Sequence, residues 1–190
     1  PNGLWVNSLR EEVVAKMTEA GLVSATLAIE HGSDYIRNTI IGKNLDRQKI
    51  FEVGELLKKY KVMSTGLYIM GFPEDTNDTL QNTFDMMNEL QLDNSGVGAA
   101  IPFPGTSLFK QVVKDKLLLG EWNLDELWKT PVSLGQADFL IKPYNMSIDE
   151  LYKWKEKFDN MKDKYWTTNP KPSPFKKIVE NSSVKRNALV

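Results

Sequence analysis

The chain has 190 residues, 41% of them hydrophobic, which suits one globular domain with a core of its own. Lysine plus arginine number 24 and aspartate plus glutamate 25, so there is no global basic field to gather nucleic acid or an anionic membrane. Zero cysteines exclude disulfides, thiolate zinc sites, a cysteine nucleophile and a self-supplied iron–sulfur cluster, and a single histidine, His31, argues against a multi-imidazole metal centre.

The first predicted element is an amphipathic helix over 8–20, with Ser8 as N-cap, Glu11 at the capping-box spacing and Val13, Val14 and Met17 on one face. A β-prone run follows over 23–29, bounded by Gly21 and Gly32, and reads as a strand buried on both faces. Helices are expected over 34–41 and 46–60, the second carrying Ile50, Phe51, Val53, Leu56 and Leu57 at helical spacing. The cycle repeats with a strand over 62–70, a turn at Gly71-Phe72-Pro73-Glu74-Asp75 and a helix over 76–90 that turns Leu80, Phe84, Met87 and Leu90 inward. A third strand over 95–101 leads through Pro102-Phe103-Pro104-Gly105-Thr106 to a helix over 107–119. Beyond Gly120 the pattern weakens: Trp122, Leu127, Trp128, Phe139, Leu140 and Ile141 suggest a loop-rich cover, before a final helix over 147–165 with Ser147 as cap and Glu150 at the capping-box spacing. The Pro-rich stretch 169–174 reads as an extended linker, and from Trp166 onward five basic residues face one acidic residue, as in a mobile, solvated tail.

Three strand–helix cycles about thirty residues apart imply parallel strands joined by right-handed helical crossovers. The fold class is therefore α/β, part of a βα (TIM-type) barrel or a wound sheet, with a C-terminal helix. Ligands bind such sheets at the carboxyl ends of the strands. The segments placed there are Glu30-His31-Gly32-Ser33, Gly71 to Thr76, and Pro102 to Thr106. Glu30, directly after an apolar run, would lie at the mouth of the sheet and accept from hydroxyls or an ammonium group, or else cap a helix or pair with Lys43. Gly71 and Gly105 suit both a close backbone approach to a ligand and an ordinary turn. His31 fits a satisfied imidazole better than a catalyst. No carboxylate spacing marks a metal site, and no residue is assigned as catalytic. No apolar run nears the roughly 18 to 20 residues of a membrane helix and no signal peptide opens the chain, so a cytoplasmic address is expected.

The strings AIEHGSDYIRNTIIGKN, GLYIMGFPEDT and AAIPFPGTSLF, with the opening PNGLWVNSL, together resemble the radical S-adenosylmethionine (SAM) superfamily, in particular its Elp3/MiaB-like core and cobalamin-binding branch. The likeness covers 1–120 in family order and spacing. It implies the C-terminal half of a six-stranded partial barrel, with strands four to six in 1–120, the cover and final helix in 121–166 and the basic tail in 167–190. It implies a SAM site in which Glu30 lies beside the ribose or amino-acid portion, Lys43 meets the carboxylate, Ile69 covers the adenine, Gly71 forms the adjoining turn, and main-chain groups of Ala99, Ala100 and Ile101 read the adenine edge. The 4Fe-4S cluster motif, Cys-x3-Cys-x2-Cys, would belong to the parent protein, as would any cobalamin; Pro1-Asn2-Gly3 sits inside a motif, which points to a piece of a longer protein. This chain alone is expected to perform no reductive SAM cleavage. Two residues depart from the family pattern: His31 stands at the usual serine and Leu67 at the usual small residue.

The parent would act as an oxidoreductase or methyltransferase, with methyl transfer or oxidative cyclisation favoured over methylthiolation and the substrate open. Without its missing half, the 23–29 strand would expose an edge that invites self-association. Two other functions remain consistent with the residues. One is a cofactor-free barrel enzyme using Glu30 as base and Lys43 as electrostatic partner; the other is a non-catalytic interaction module.

Overall fold

The computed structural model describes residues 3–119 and 139–168, the stretch 162–168 by backbone alone; the expected cover residues Trp122, Leu127 and Trp128 and the tail 169–190 lie outside the described residues. Its centre is a three-stranded, wholly parallel sheet in the order β1 (Ser24–Glu30), β2 (Met63–Met70), β3 (Asn94–Ala99). Ala28 lies beside Leu67 and Leu67 beside Gly96, so the three strands end together. Helices α2 (Arg47–Lys59) and α3 (Asn77–Leu90) make the crossovers, as the thirty-residue repeat requires. The chain is thus a partial α/β barrel: an open parallel sheet flanked by helices.

The expected helices start where side chains can take up free backbone N–H groups. Asp46 accepts from the Gln48 N–H at the head of α2, and Thr76 forms a capping box with Thr79 at the head of α3. Ser8 does not cap: it ends a 3-10 turn (Val6–Ser8), its hydroxyl donates to the Trp5 carbonyl at 2.7 Å, and α1 (Glu11–Glu19) starts from Arg10 with no side-chain cap. The Glu11 carboxylate is drawn instead to Lys59 and Tyr60. Residues Tyr35–Ile40 are helical but of π type. Helix α4 (Ser107–Lys114) is shorter than its pattern suggests, because Lys116 takes a positive φ of 57° and the chain turns to pair Leu118 with Ile141.

Strand β1 alternates between fully buried Ala25, Leu27 and Ile29 and half-buried Ser24, Thr26, Ala28 and Glu30. The expectation of a strand covered on both faces is therefore corrected. Helices cover one face, and the residues of the other are only partly buried. The main core lies on the helix side and joins Leu27, Ile29, Tyr68, Met70, Val97 and Leu80. Tyr68 is fully enclosed, its hydroxyl finds no hydrogen-bond partner among the described residues, and burial raises its pKa. Nor is the outer edge of β1 left bare. Leu4 bridges to Leu27, donating to the Thr26 carbonyl at 2.6 Å and accepting from Ala28 N–H at 3.4 Å, so an extended residue ahead of α1 occupies part of the edge expected to be free.

Helix α5 (Ile148–Thr168) docks through aromatic rings, with Phe84 of α3 meeting Trp154 at 6.5 Å and Phe158 at 6.1 Å between centroids. Its N-terminus is held as expected: Ser147 N–H donates to Glu150 at 2.8 Å and Glu150 N–H to the Ser147 hydroxyl at 3.2 Å. Asn77 of α3 adds a bond of 3.0 Å to the other carboxylate oxygen. The Ser147 N–H, then Asn77, then the Ser147 hydroxyl lower the Glu150 pKa from 4.5 to about 2. Because the folded value lies below the ordinary one, the stabilisation this carboxylate lends α5 is complete above pH 4.5 and fades as pH falls toward 2. A carboxyl-carbon NMR titration should place the Glu150 midpoint near 2. A midpoint near 4.5 would mean that the cap does not persist in solution.

Candidate functional site

The carboxyl ends of the three strands gather most of the residues singled out in the sequence. Glu30 closes β1 with φ of 72°, rare for a residue with a side chain, and His31 N–H reaches back to the Ile29 carbonyl at 3.0 Å, which makes Glu30 the centre of a γ-turn. Such a conformation costs of order 1–3 kcal/mol and persists only where its surroundings hold it. The Glu30 carboxylate meets the Lys43 ammonium at 2.7 Å, and the two side chains are 18% and 20% exposed. Of the sequence alternatives for Glu30, the pairing with Lys43 is realised.

Lys43 is set by a short loop whose backbone is pinned on both sides. Its N–H donates to the Arg37 carbonyl at 3.0 Å, while Leu45 N–H donates to Asn38 Oδ1 at 2.8 Å. Arg37 is fully buried: Nε donates to the Leu45 carbonyl at 2.8 Å, Nη1 to the His31 and Gly32 carbonyls at 2.7 and 3.3 Å, and Nη2 to Asp34. One guanidinium thereby ties the Glu30 turn to the loop that carries Lys43, a use its five-donor fork suits.

Ile69, on the less buried face of β2, packs with Ile36, Ile40, Ile41 and Ala100 in a second apolar cluster at the strand ends. Gly71 follows with φ of 88°, and a Cβ added there would stand 3.1 Å from the Phe139 ring, which lies against it. Ala99 lies beside Met70, and its methyl packs on the main core, the face opposite to Ile69. Ala100 N–H is spent on the Met70 carbonyl at 2.8 Å. Because a parallel strand turns alternate peptide groups to opposite sides, this bond directs the main chain of Ala99 to the free edge of β3. Phe103 N–H takes the Ile101 carbonyl at 3.0 Å. Among the described residues no cluster of three or more His, Asp or Glu is arranged to hold a metal ion.

Sequence reasoning missed the buried polar network under these turns. His31 is 0% exposed; Nδ1 accepts from Ser33 N–H at 3.0 Å, so the proton sits on Nε2, which donates to Asp75 Oδ1 at 3.1 Å. Asp75, also 0% exposed, accepts further from Gly71 N–H at 2.7 Å, Phe72 N–H at 2.9 Å and the Thr79 hydroxyl at 3.0 Å. Gly32 N–H donates to the Thr83 hydroxyl at 3.0 Å. The only available signal was that His31 and Asp75 each follow a strand end; nothing local links positions 44 apart.

Residues 1–87 match the family model of the Radical SAM superfamily. An uncharacterized methyltransferase of Pyrococcus horikoshii is 31% identical over 114 residues, covering 60% of this chain and 25% of that protein. Bacteriochlorophyllide d C-12(1)-methyltransferase of Chlorobaculum tepidum is 27% identical over 100 residues, covering 51% and 22%. Cytidylyl-2-hydroxyethylphosphonate methyltransferase of Streptomyces wedmorensis is 22% identical over 120 residues, covering 60% and 22%. The chain spans about a quarter of the length of these relatives. In fold it is similar to coproporphyrinogen III oxidase of Escherichia coli, described as a radical SAM enzyme, with TM-score 0.53 and 16% identity, covering 66% of this chain and 29% of that one.

Proposed function

We infer, from the membership of this chain in the radical SAM superfamily, that it supplies strands four to six of the catalytic barrel and, with them, one wall of the S-adenosylmethionine site. The Glu30–Lys43 pair carries this reading: opposite charges at 2.7 Å, mostly covered, at the mouth of a parallel sheet. The methionyl end of the ligand presents the complementary pair, an α-ammonium for Glu30 and an α-carboxylate for Lys43, so each side chain can exchange one ionic partner for another. Ile69 covers the purine face, Gly71 forms the adjoining turn, and the main chain of Ala99 and Ile101 reads the adenine edge, with Ala100 aligning that segment through its bond to β2.

These residues fit the ligand, and their part is to bind, orient and keep water out. When bound, S-adenosylmethionine supplies the transferable methyl group and, beside a reduced 4Fe-4S cluster, the radical. The cluster's cysteines are assigned to the preceding part of the parent, because this chain has none. The isolated chain is therefore inactive in reductive cleavage. Methyl transfer is the favoured reaction, since all three curated relatives bear methyltransferase names; a cobalamin in the parent enters this reading through the sequence resemblance alone.

In the parent protein with its cluster in place, Lys43→Ala should raise the SAM dissociation constant about tenfold or more, as loss of a charged hydrogen bond of about 1.5–3 kcal/mol requires. The visible spectrum of the cluster should stay as it is. Unchanged affinity in calorimetry would remove Lys43 from the site and this reading with it.

A further inference from the structure

We propose that His31 and Asp75 form a buried latch that positions Glu30 for the ligand, so that an imidazole that never touches S-adenosylmethionine sets its affinity. The proposal rests on the SAM-site reading above and adds a positioning device to it. A positive-φ turn at a glutamate has to be held from outside, and His31 is the residue that holds it. All four of its polar groups are engaged. The N–H closes the turn on Ile29, the carbonyl accepts from Arg37, Nδ1 accepts from Ser33 N–H, and Nε2–H donates to Asp75. The Thr83 hydroxyl stands 3.3 Å from Nδ1 as well.

Asp75 carries the constraint across to the second strand. One carboxylate oxygen binds the imidazole and the Thr79 hydroxyl; the other accepts from Gly71 and Phe72 N–H. The two strand-end turns, at Glu30 with φ of 72° and Gly71 with φ of 88°, are thus joined through one side-chain pair. A serine at position 31 is too short to span to Asp75.

In the cluster-bearing parent, we expect His31→Leu, which keeps the bulk and loses both ring bonds, to raise the SAM dissociation constant about tenfold. His31→Gln, which keeps a donor toward Asp75 and an acceptor for Ser33, should return affinity to within about threefold of the parent. A His31→Leu protein that melts lower yet binds SAM as the parent does would overturn the latch while leaving the site reading intact, provided Lys43→Ala still weakens binding. If Lys43→Ala also has no effect, the site reading fails first. Should His31→Leu not fold, the unsubstituted 190-residue chain decides the matter, because its imidazole is the single one present. Nitrogen-15 NMR should show the proton on Nε2 and a bare Nδ1, with an Nε2–H protected from exchange. The opposite tautomer, or a ring open to solvent exchange, would overturn the proposal.

Discussion

Arg37→Leu is expected to destabilise the fold by about 3–5 kcal/mol, the range found when a buried ionic group is removed and its partners stay behind. Leucine fills much of the space but offers no donor. The His31 and Gly32 carbonyls, which Nη1 serves at 2.7 and 3.3 Å, are then left in a site with no exposed surface. The Leu45 carbonyl is less affected, since Asn38 Nδ2 also donates to it at 3.1 Å. Arg37→Lys should recover less than half of the loss. A single ammonium cannot reach the Leu45 carbonyl, the His31 carbonyl and Asp34 with the geometry of the guanidinium fork. Denaturant unfolding of the three proteins measures both effects. A loss under about 1 kcal/mol for the leucine variant would mean that water satisfies the freed carbonyls. Because the same side chain ties the Glu30 turn to the Lys43 loop, SAM affinity in the parent should fall along with stability.

Gly32→Ala should cost about 3 kcal/mol or more, at or beyond the upper end of overpacking penalties. A Cβ at this position would stand 2.3 Å from Thr83 Cα, 2.4 Å from the Asn82 carbonyl oxygen and 2.5 Å from Thr83 N. All three atoms belong to the backbone of α3, so no flexible side chain can swing away. The loop after β1 would have to lift off the helix, breaking the Gly32 N–H bond to Thr83 and lengthening that from His31 to Asp75. The φ of Gly32 is not positive, so this glycine is required by contact and not by conformation. Thermal unfolding of Gly32→Ala beside the unsubstituted chain tests the claim. A variant that melts within a few degrees of it would show that the loop does not rest on α3 as described.

Much of the architecture was legible because its signals are local. Ser147 stands next to the backbone N–H group it was expected to cap, the helices start where expected at Asp46 and Thr76, and the helical spacing in α2 and α3 needs only neighbouring turns. The Ser8 cap failed for an equally physical reason: a 3-10 turn had already claimed its hydroxyl, and Glu11 had a cationic partner 48 residues away. Burial of β1 on both faces could not be judged from its apolar run, since the run is silent on what covers each side.

The candidate site divides along the same line. Residue types and the parallel topology sufficed to put Glu30, Ile69 and Gly71 at strand ends, and Lys43 thirteen positions beyond Glu30 came within reach on one loop. The π-helical turn, the buried Arg37 and the His31–Asp75 pair emerged only from the packed chain. By itself the sequence determined the order of strands and helices, the Ser147 cap of α5 and the end of the sheet where charged residues collect, because these follow from periodicity and from bonds between near neighbours. Tertiary structure alone decided which buried polar groups meet, because pairs 44 and 51 residues apart are chosen by how closely the loop after β1 settles on α3.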